Sequence, residues 1–237
     1  MAEISKLEKI KNIKKACKLT DEAFLFVKHR IKAGQTEKQA AKIIDQFIKK
    51  NGAKLAFKTI VSFGKNTANI HHNPTDKILR NGQPIMLDFG AKFDGYCSDL
   101  TRMIFLKSIS QEFKNIYNLV LTAQDYAIKS LVNGLFLGKE MRGDKIDAVA
   151  REVIKKAGYG KYFPHGLGHG LDVKIHNRLR LQPNFRDILK AGDVVTIEPG
   201  IYIKGKGGVR IEDDVLIKNG EIEVLTKAFK KLEEVII

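Results

Sequence analysis

Apolar residues recur at helical spacing over residues 4–32, where Leu7, Ile10, Ile13, Cys17, Phe24, Val27 and Ile31 form one face and Gly34 marks the end. A second helix is predicted from Thr36, with Glu37 at its positive end. It turns Ala40, Ala41, Ile43, Ile44, Phe47 and Ile48 inward until Gly52 stops it. The pattern then changes period. Residues 55–63 read as a strand, and 66–75 as a polar loop holding His71, His72 and Pro74. Strands follow over 84–90 and 95–107, long helices over about 110–133 and 143–157, and mainly β structure from 171 onward. No Pro/Ser-rich linker or low-complexity stretch divides the chain, so residues 1–237 read as one domain.

One internal echo bears on architecture. Phe47-Ile48-Lys49-Lys50-Asn51-Gly52 resembles Val153-Ile154-Lys155-Lys156-Ala157-Gly158, each closing a predicted helix with strands to follow. Helix then hairpin, twice, implies two pseudo-equivalent halves folded into one α+β unit.

Composition adds boundaries rather than a function. Of 237 residues, 43% are hydrophobic and 29% charged, which supplies a sizeable core and excludes a disordered chain. The longest aliphatic and aromatic run, Ala23–Val27, is far too short for a membrane span, and no signal peptide is visible at the N-terminus. Cys17 and Cys97 have no metal-like spacing, so the expected location is cytoplasmic. The formal net charge of +15 invites a nucleic-acid reading. The lysines are spread along helix faces with no aromatic-basic motif, so nucleic acid is not the expected partner.

The chemistry sits in two predicted hairpins. Asp94-Gly95 is a turn signal, and a turn over 92–95 sets Asp88 opposite Asp99. The glycine cluster at 205–208 makes a second turn that sets Glu198 opposite Glu212. Like charges facing each other on a sheet are destabilising, and burial makes the repulsion worse. On an open sheet face such acids simply meet water. Here both pairs lie in apolar strands, Ile85-Met86-Leu87 and Val194-Val195-Thr196-Ile197, and together they point to cations held between them. His165, His169 and His176 fall in a glycine-rich stretch whose backbone is suited to close approach by a ligand, and His71 lies on another loop. There is no Walker A spacing and no Gly-x-Ser-x-Gly elbow, and neither Ser62 nor Ser98 has an evident base.

Asp88 in Leu-Asp-Phe-Gly-Ala, Asp99 in Ser-Asp-Leu-Thr-Arg, His169 in His-Gly-Leu-Gly-His, Glu198 in Thr-Ile-Glu-Pro-Gly-Ile-Tyr and Glu212 in Val-Arg-Ile-Glu-Asp-Asp stand in one order. They closely resemble the five metal ligands of the pita-bread metallopeptidases, specifically the Xaa-Pro aminopeptidase and prolidase branch, from about residue 8 onward. The resemblance implies a curved antiparallel sheet and a dinuclear site of manganese or cobalt, with zinc as an alternative. Asp99 and Glu212 would bridge the ions, Asp88 would hold one, and His169 with Glu198 the other. It further implies that Glu198 shuttles a proton to the leaving nitrogen, and that His71, His165 and His176 position substrate with Arg210 nearby. Substrates would be short peptides with proline second, and a homodimer is compatible with the branch. Methionine aminopeptidases are the nearest alternative, although the His-x-x-x-His spacing at 165 and 169 departs from their pattern. A metal-free binding protein of the same fold is an alternative of another class. The chain begins almost at the catalytic domain, so the N-terminal domain usual in the branch is expected to be absent. Arg178 and Arg180 lie in an atypical connection, where they would either replace a carboxylate-binding arginine of the branch or be solvated, and solvated is the expectation.

Overall fold

In a computed structural model, residues 2–138 and 140–237 are described. Helix α1 (Ala2–Lys28) turns Ile13, Ala16, Cys17, Ala23, Phe24 and Val27 fully inward. It stops before the predicted end because the Gln35 side chain takes backbone groups that a longer helix would need. Its amide donates to Arg30 O at 3.1 Å and its carbonyl accepts from Lys32 N at 2.9 Å. Helix α2 (Glu37–Lys50) begins on a capping box between Thr36 and Gln39. Strands β1 (Lys54–Leu55) and β2 (Ile60–Phe63) follow, then β3 (Pro84–Phe89), β4 (Ala91–Phe93), β5 (Tyr96–Cys97) and β6 (Leu100–Phe105). The second half repeats this plan. Helices α3 (Gln111–Phe136) and α4 (Gly143–Lys156) precede β7 (Gly168–Gly170), β8 (Asn177–Leu181), β9 (Val194–Ile197), β10 (Gly200–Ile203), β11 (Gly207–Arg210), β12 (Asp213–Ile217) and β13 (Ile222–Val224).

The correspondence extends to lengths and connections. The long helices have 27 and 26 residues and the short ones 14 each. Antiparallel β2-β3-β6 matches antiparallel β7-β9-β12, and in each triplet a small hairpin, β4–β5 or β10–β11, is inserted between the last two strands. Asp88 and Asp99 flank the first hairpin as Glu198 and Glu212 flank the second. The fold is therefore α+β with two pseudo-equivalent halves, and it places the four acids at equivalent points.

One register differs from the sequence expectation. Asp88 pairs with Thr101, not with Asp99. The turn is centred between Asp94 and Gly95, whose φ values of 45° and 88° are those of a two-residue primed hairpin turn. This shifts the pairing by two residues. A shift of two keeps every side chain on its face, so Asp99 still shares the face of Thr101. The second register holds: Gly200 pairs with Arg210 and Ile197 with Asp213, which brings Glu198 and Glu212 level.

Strand alternation then sorts chemistry from packing. In β3, Ile85, Leu87 and Phe89 enter the core built on α1 and α2, while Met86 and Asp88 face the other half. In β9, Val195 and Ile197 enter the core built on α3 and α4, leaving Thr196 on the opposite face. Both helix layers are thus satisfied by apolar positions, and the polar positions of the two halves meet between them. Among the described residues, no helix is long and apolar enough to cross a membrane.

Candidate metal centre

Asp88, Asp99, His169, Glu198 and Glu212, together with His71, His165, His176 and Arg210, all line one cavity of about 290 Å³. Its remaining walls include Phe57, Ile60, Ile70 and Ile175. Ligand atoms of Asp99, His169 and Glu212 lie within 4.8 Å of one another. His169 Nε2 is 3.4 Å from Glu198 Oε1 and 3.7 Å from Asp99 Oδ2.

The histidine is oriented by its backbone. Its Nδ1 lies 3.2 Å from Gly170 O, so Nδ1 carries the proton and Nε2 turns its lone pair toward the acids. Burial, reinforced by His176, lowers its pKa to about 4, so the ring is neutral at physiological pH. A close strand crossing holds this segment, since a Cβ on Gly168 would fall 1.9 Å from Thr196 O. Thr196 Oγ1 accepts from His169 N at 3.0 Å and donates to Glu198 Oε1 at 3.1 Å, which ties the two side chains together.

A second network runs through Arg210. Its Nη2 donates to Asp88 Oδ2 at 2.5 Å, its Nε to Thr101 Oγ1 at 2.9 Å and its Nη1 to the Tyr202 hydroxyl at 2.8 Å. Thr101 passes its own proton to Glu212 Oε2 at 2.6 Å. Tyr202, already accepting from Arg210, donates to His165 Nε2 at 2.9 Å, and His165 Nδ1 donates to Gly166 O at 2.7 Å. Donors therefore run in one direction, from Arg210 through Tyr202 to His165. Burial and then the Arg210 charge lower His165 to about 4, consistent with a neutral ring.

The electrostatics test whether metal ions fit. Burial raises all four acids, Glu198 to about 7. Mutual repulsion adds to this at Asp99, which faces Glu212, and at Glu212, which faces Glu198. Asp99 Oδ1 is buried without a hydrogen-bond partner among the described residues. Three buried acids and the half-buried Glu198 have one adjacent guanidinium, that of Arg210, so the ionised set carries a large uncompensated negative charge. Oxygen donors in excess, one oriented imidazole and an orphaned carboxylate oxygen are what hard or borderline divalent ions require.

Four contributors went unrecognised in the sequence or were read differently. Thr101 lies two residues after Asp99 and Thr196 two before Glu198, so strand periodicity places each beside its acid. Tyr202 stands in the Glu-Pro-Gly-Ile-Tyr motif itself. Arg180, expected to be solvated, instead lines the cavity and pairs with His169 across the β7–β8 ladder. Leu179 and Leu181 enter the core and turn the arginine to the other side, while Arg178 is exposed as expected. His72, next to His71, points away from the cavity and binds Glu37 at 2.7 Å.

The profile of metallopeptidase family M24 matches residues 11–219. An uncharacterized peptidase of Staphylococcus aureus is 40% identical over 220 residues, 92% of this chain and 61% of that protein. A Xaa-Pro dipeptidase from Bacillus anthracis superposes with a TM-score of 0.91 at 38% identity, covering 97% of this chain and 63% of the other. An X-Pro aminopeptidase from Thermotoga maritima gives a TM-score of 0.90 at 36% identity, with the same two coverages. The chain thus spans about three fifths of the length of these relatives. The architecture is the pita-bread fold, and with the family profile matching from the first helix through β12, the chain belongs to metallopeptidase family M24.

Proposed function

We propose that this chain hydrolyses the bond before proline in Xaa-Pro dipeptides. Asp88, Asp99, His169, Glu198 and Glu212 would hold two divalent ions, with manganese the first choice and cobalt or zinc the alternatives. When bound, such a pair supplies Lewis acidity at the scissile carbonyl and a water of lowered pKa as nucleophile. Glu198, held by Thr196, would serve as the acid that delivers a proton to the leaving proline nitrogen. His71 and His176 would orient the peptide and steady the charge that develops on the carbonyl oxygen, while His165, with both ring nitrogens engaged, would help position the peptide by its ring. Arg210 keeps Asp88 in place and fixes Tyr202 against His165.

The observation that carries the dipeptide reading is the position of Arg180. Arg180 is the strand partner of His169 and lines a small cavity with apolar sides, its Nη1 donating to Asn177 O and Leu179 O. In a dipeptide the terminal carboxylate lies one residue beyond the scissile bond, within reach of such a cation, whereas a longer peptide continues as neutral chain there. The solved relatives named Xaa-Pro dipeptidase and X-Pro aminopeptidase support a proline substrate.

The test is hydrolysis of Ala-Pro, Ala-Pro-Ala and Met-Ala-Ser by metal-stripped protein, with and without added manganese. Manganese-dependent cleavage of Ala-Pro, with KM raised by Arg180→Met, is expected. Release of methionine alone would replace this reading with a methionine aminopeptidase. Metal-independent, salt-sensitive RNA binding without hydrolysis would indicate a binding protein.

A further inference from the structure

Glu37 lies at the start of α2, outside the cavity, and its side chain is fully buried. A buried carboxylate without partners is strongly destabilising, so its partners show what it is for. Oε1 accepts from Phe63 N at 2.8 Å and from Asn66 Nδ2 at 2.9 Å. Oε2 accepts from His72 Nε2 at 2.7 Å, Thr75 N at 2.9 Å and Thr75 Oγ1 at 2.6 Å. All five donors come from residues 63–75, the segment that carries Ile70 and His71 into the cavity wall. Burial opposes ionisation, yet the Thr75 hydroxyl, His72 and two backbone amides bring the carboxyl below its usual range, in keeping with a charged acceptor.

The segment itself has little regular structure beyond one short turn at Gly64–Ala68, and His71 is exposed on its outer part. Adjacent residues face opposite ways: His71 toward the cavity and His72 back toward Glu37. The amides of Glu37 and Lys38 also donate to Lys77 O and Thr75 O, so the helix start grips the far end of the loop. On its other side, Thr67 Oγ1 accepts from Gly208 N at 2.7 Å, two residues before Arg210.

We propose that Glu37 is a positioning residue that, through His72 and Thr75, fixes the loop bearing His71 against the substrate. This inference rests on the peptidase reading above, because His71 has a substrate to meet only if that reading holds. Its own effect runs through the loop and leaves the metal ligands alone.

The experiment is a double-mutant cycle between Glu37→Gln and His71→Ala, reading kcat/KM for Ala-Pro with manganese, bound metal and hydrogen exchange of the 63–75 amides. Glu37→Gln is expected to lower kcat/KM by about 10- to 100-fold in the native background but by under about 3-fold when His71 is already alanine. Bound metal should be unchanged, and exchange at Phe63 and Thr75 should accelerate by about 10-fold or more while β3 and β6 stay protected. Equal losses in both backgrounds, loss of metal, or unchanged exchange would each overturn the proposal. If Glu37→Gln does not fold, His72→Gln, which keeps a donor, should retain more activity than His72→Leu, and equal values for the two would overturn it. If the native protein cleaves no peptide, the peptidase reading fails, and the exchange data still decide whether Glu37 fixes the loop.

Discussion

Arg102 is the largest fully buried side chain among the described residues, and removing it gives the clearest energetic forecast. Its Nη2 donates to Asp213 Oδ1 at 2.5 Å and to Ala228 O at 3.0 Å, and its Nε donates to Ala228 O at 3.1 Å. Its Nη1 donates to Thr101 O at 3.1 Å and Glu212 O at 2.5 Å. Arg102→Met fills a similar volume but strands the Asp213 charge with Lys230 and Thr226 alone. Breaking one side of a buried pair costs about 3–5 kcal/mol. For a chain of this size each kcal/mol lowers Tm by roughly 2–4 °C, so a fall of about 6–20 °C is expected by calorimetry near pH 7. Burial opposes the ionised form of Asp213, yet Arg102 and then Lys230 hold its pKa at about 2. A depressed acid adds stability above its unfolded pKa and loses it as pH falls through the folded one, so the gap between native and variant should narrow from about pH 4 toward 2. Arg102→Met with Asp213→Leu should recover most of the loss, because two apolar residues replace the pair. A Tm within about 3 °C of native for Arg102→Met alone would refute the reasoning and assign the site's stability to Lys230.

Further outcomes concern the site itself. Tyr202→Phe removes one hydroxyl that joins Arg210 to His165. It should lower kcat for Ala-Pro by about 10- to 100-fold with bound metal unchanged, and a native kcat would remove Tyr202 from the mechanism. Gly168→Ala would force a Cβ to within 1.9 Å of Thr196 O. The strand must shift, so manganese affinity measured by titration calorimetry should fall, and native affinity would show that the crossing gives way elsewhere. In the metal-free protein, burial raises Glu198 to about 7 and also raises Asp88, Asp99 and Glu212. At these acids, and at Asp214 raised to about 8, the native state holds more protons than the unfolded one, while His165 and His169, lowered to about 4, offset this below about pH 6.5. The urea midpoint in EDTA should therefore drop as pH rises from about 6.5 to 8 and recover on adding manganese. A flat profile would show that the acids do not repel one another as their placement implies.

Much of this was legible in the sequence, for local reasons. The five candidate ligands sit in short motifs at strand ends, and the repeated Lys-Lys-x-Gly helix ends reported a duplication that the matched helix lengths bear out. The first hairpin was offset by two residues because Asp94-Gly95 was placed at the end of its turn, whereas positive φ at both makes them its centre. The choice between solvent and cavity for Arg180 turns on something else. Its partner His169 is brought beside it by a ladder that contains a bulge between His169 and Gly170, a long-range register that spacing does not encode. Glu37 reads in the sequence as an acid complementing a helix dipole, and only the folded loop shows the five donors gathered on it.

The run Glu212-Asp213-Asp214 shows why residue type alone does not decide chemistry. Three consecutive acids on or beside β12 alternate between faces, and each meets a different environment. Glu212 faces the cavity, where burial and the neighbouring acids raise its pKa well above the usual value. Asp213 faces Arg102 and Lys230 and is brought to about 2. Asp214 faces α1, accepts from Asp99 N at 2.9 Å and Cys17 Sγ at 3.3 Å, and is raised by burial to about 8. The same charge change should therefore act in opposite directions at adjacent positions. Glu212→Gln relieves repulsion, so the metal-free variant should be at least as stable as native near pH 8 while losing metal binding and hydrolysis together. Asp213→Asn leaves Arg102 buried against a neutral amide, and should cost about 3–5 kcal/mol with the metal ligands themselves untouched. Urea titration in EDTA and metal analysis separate the two. Should Glu212→Gln destabilise the metal-free protein as much as Asp213→Asn, the crowded acids would be structural partners of one another, and the argument for cations between them would fail.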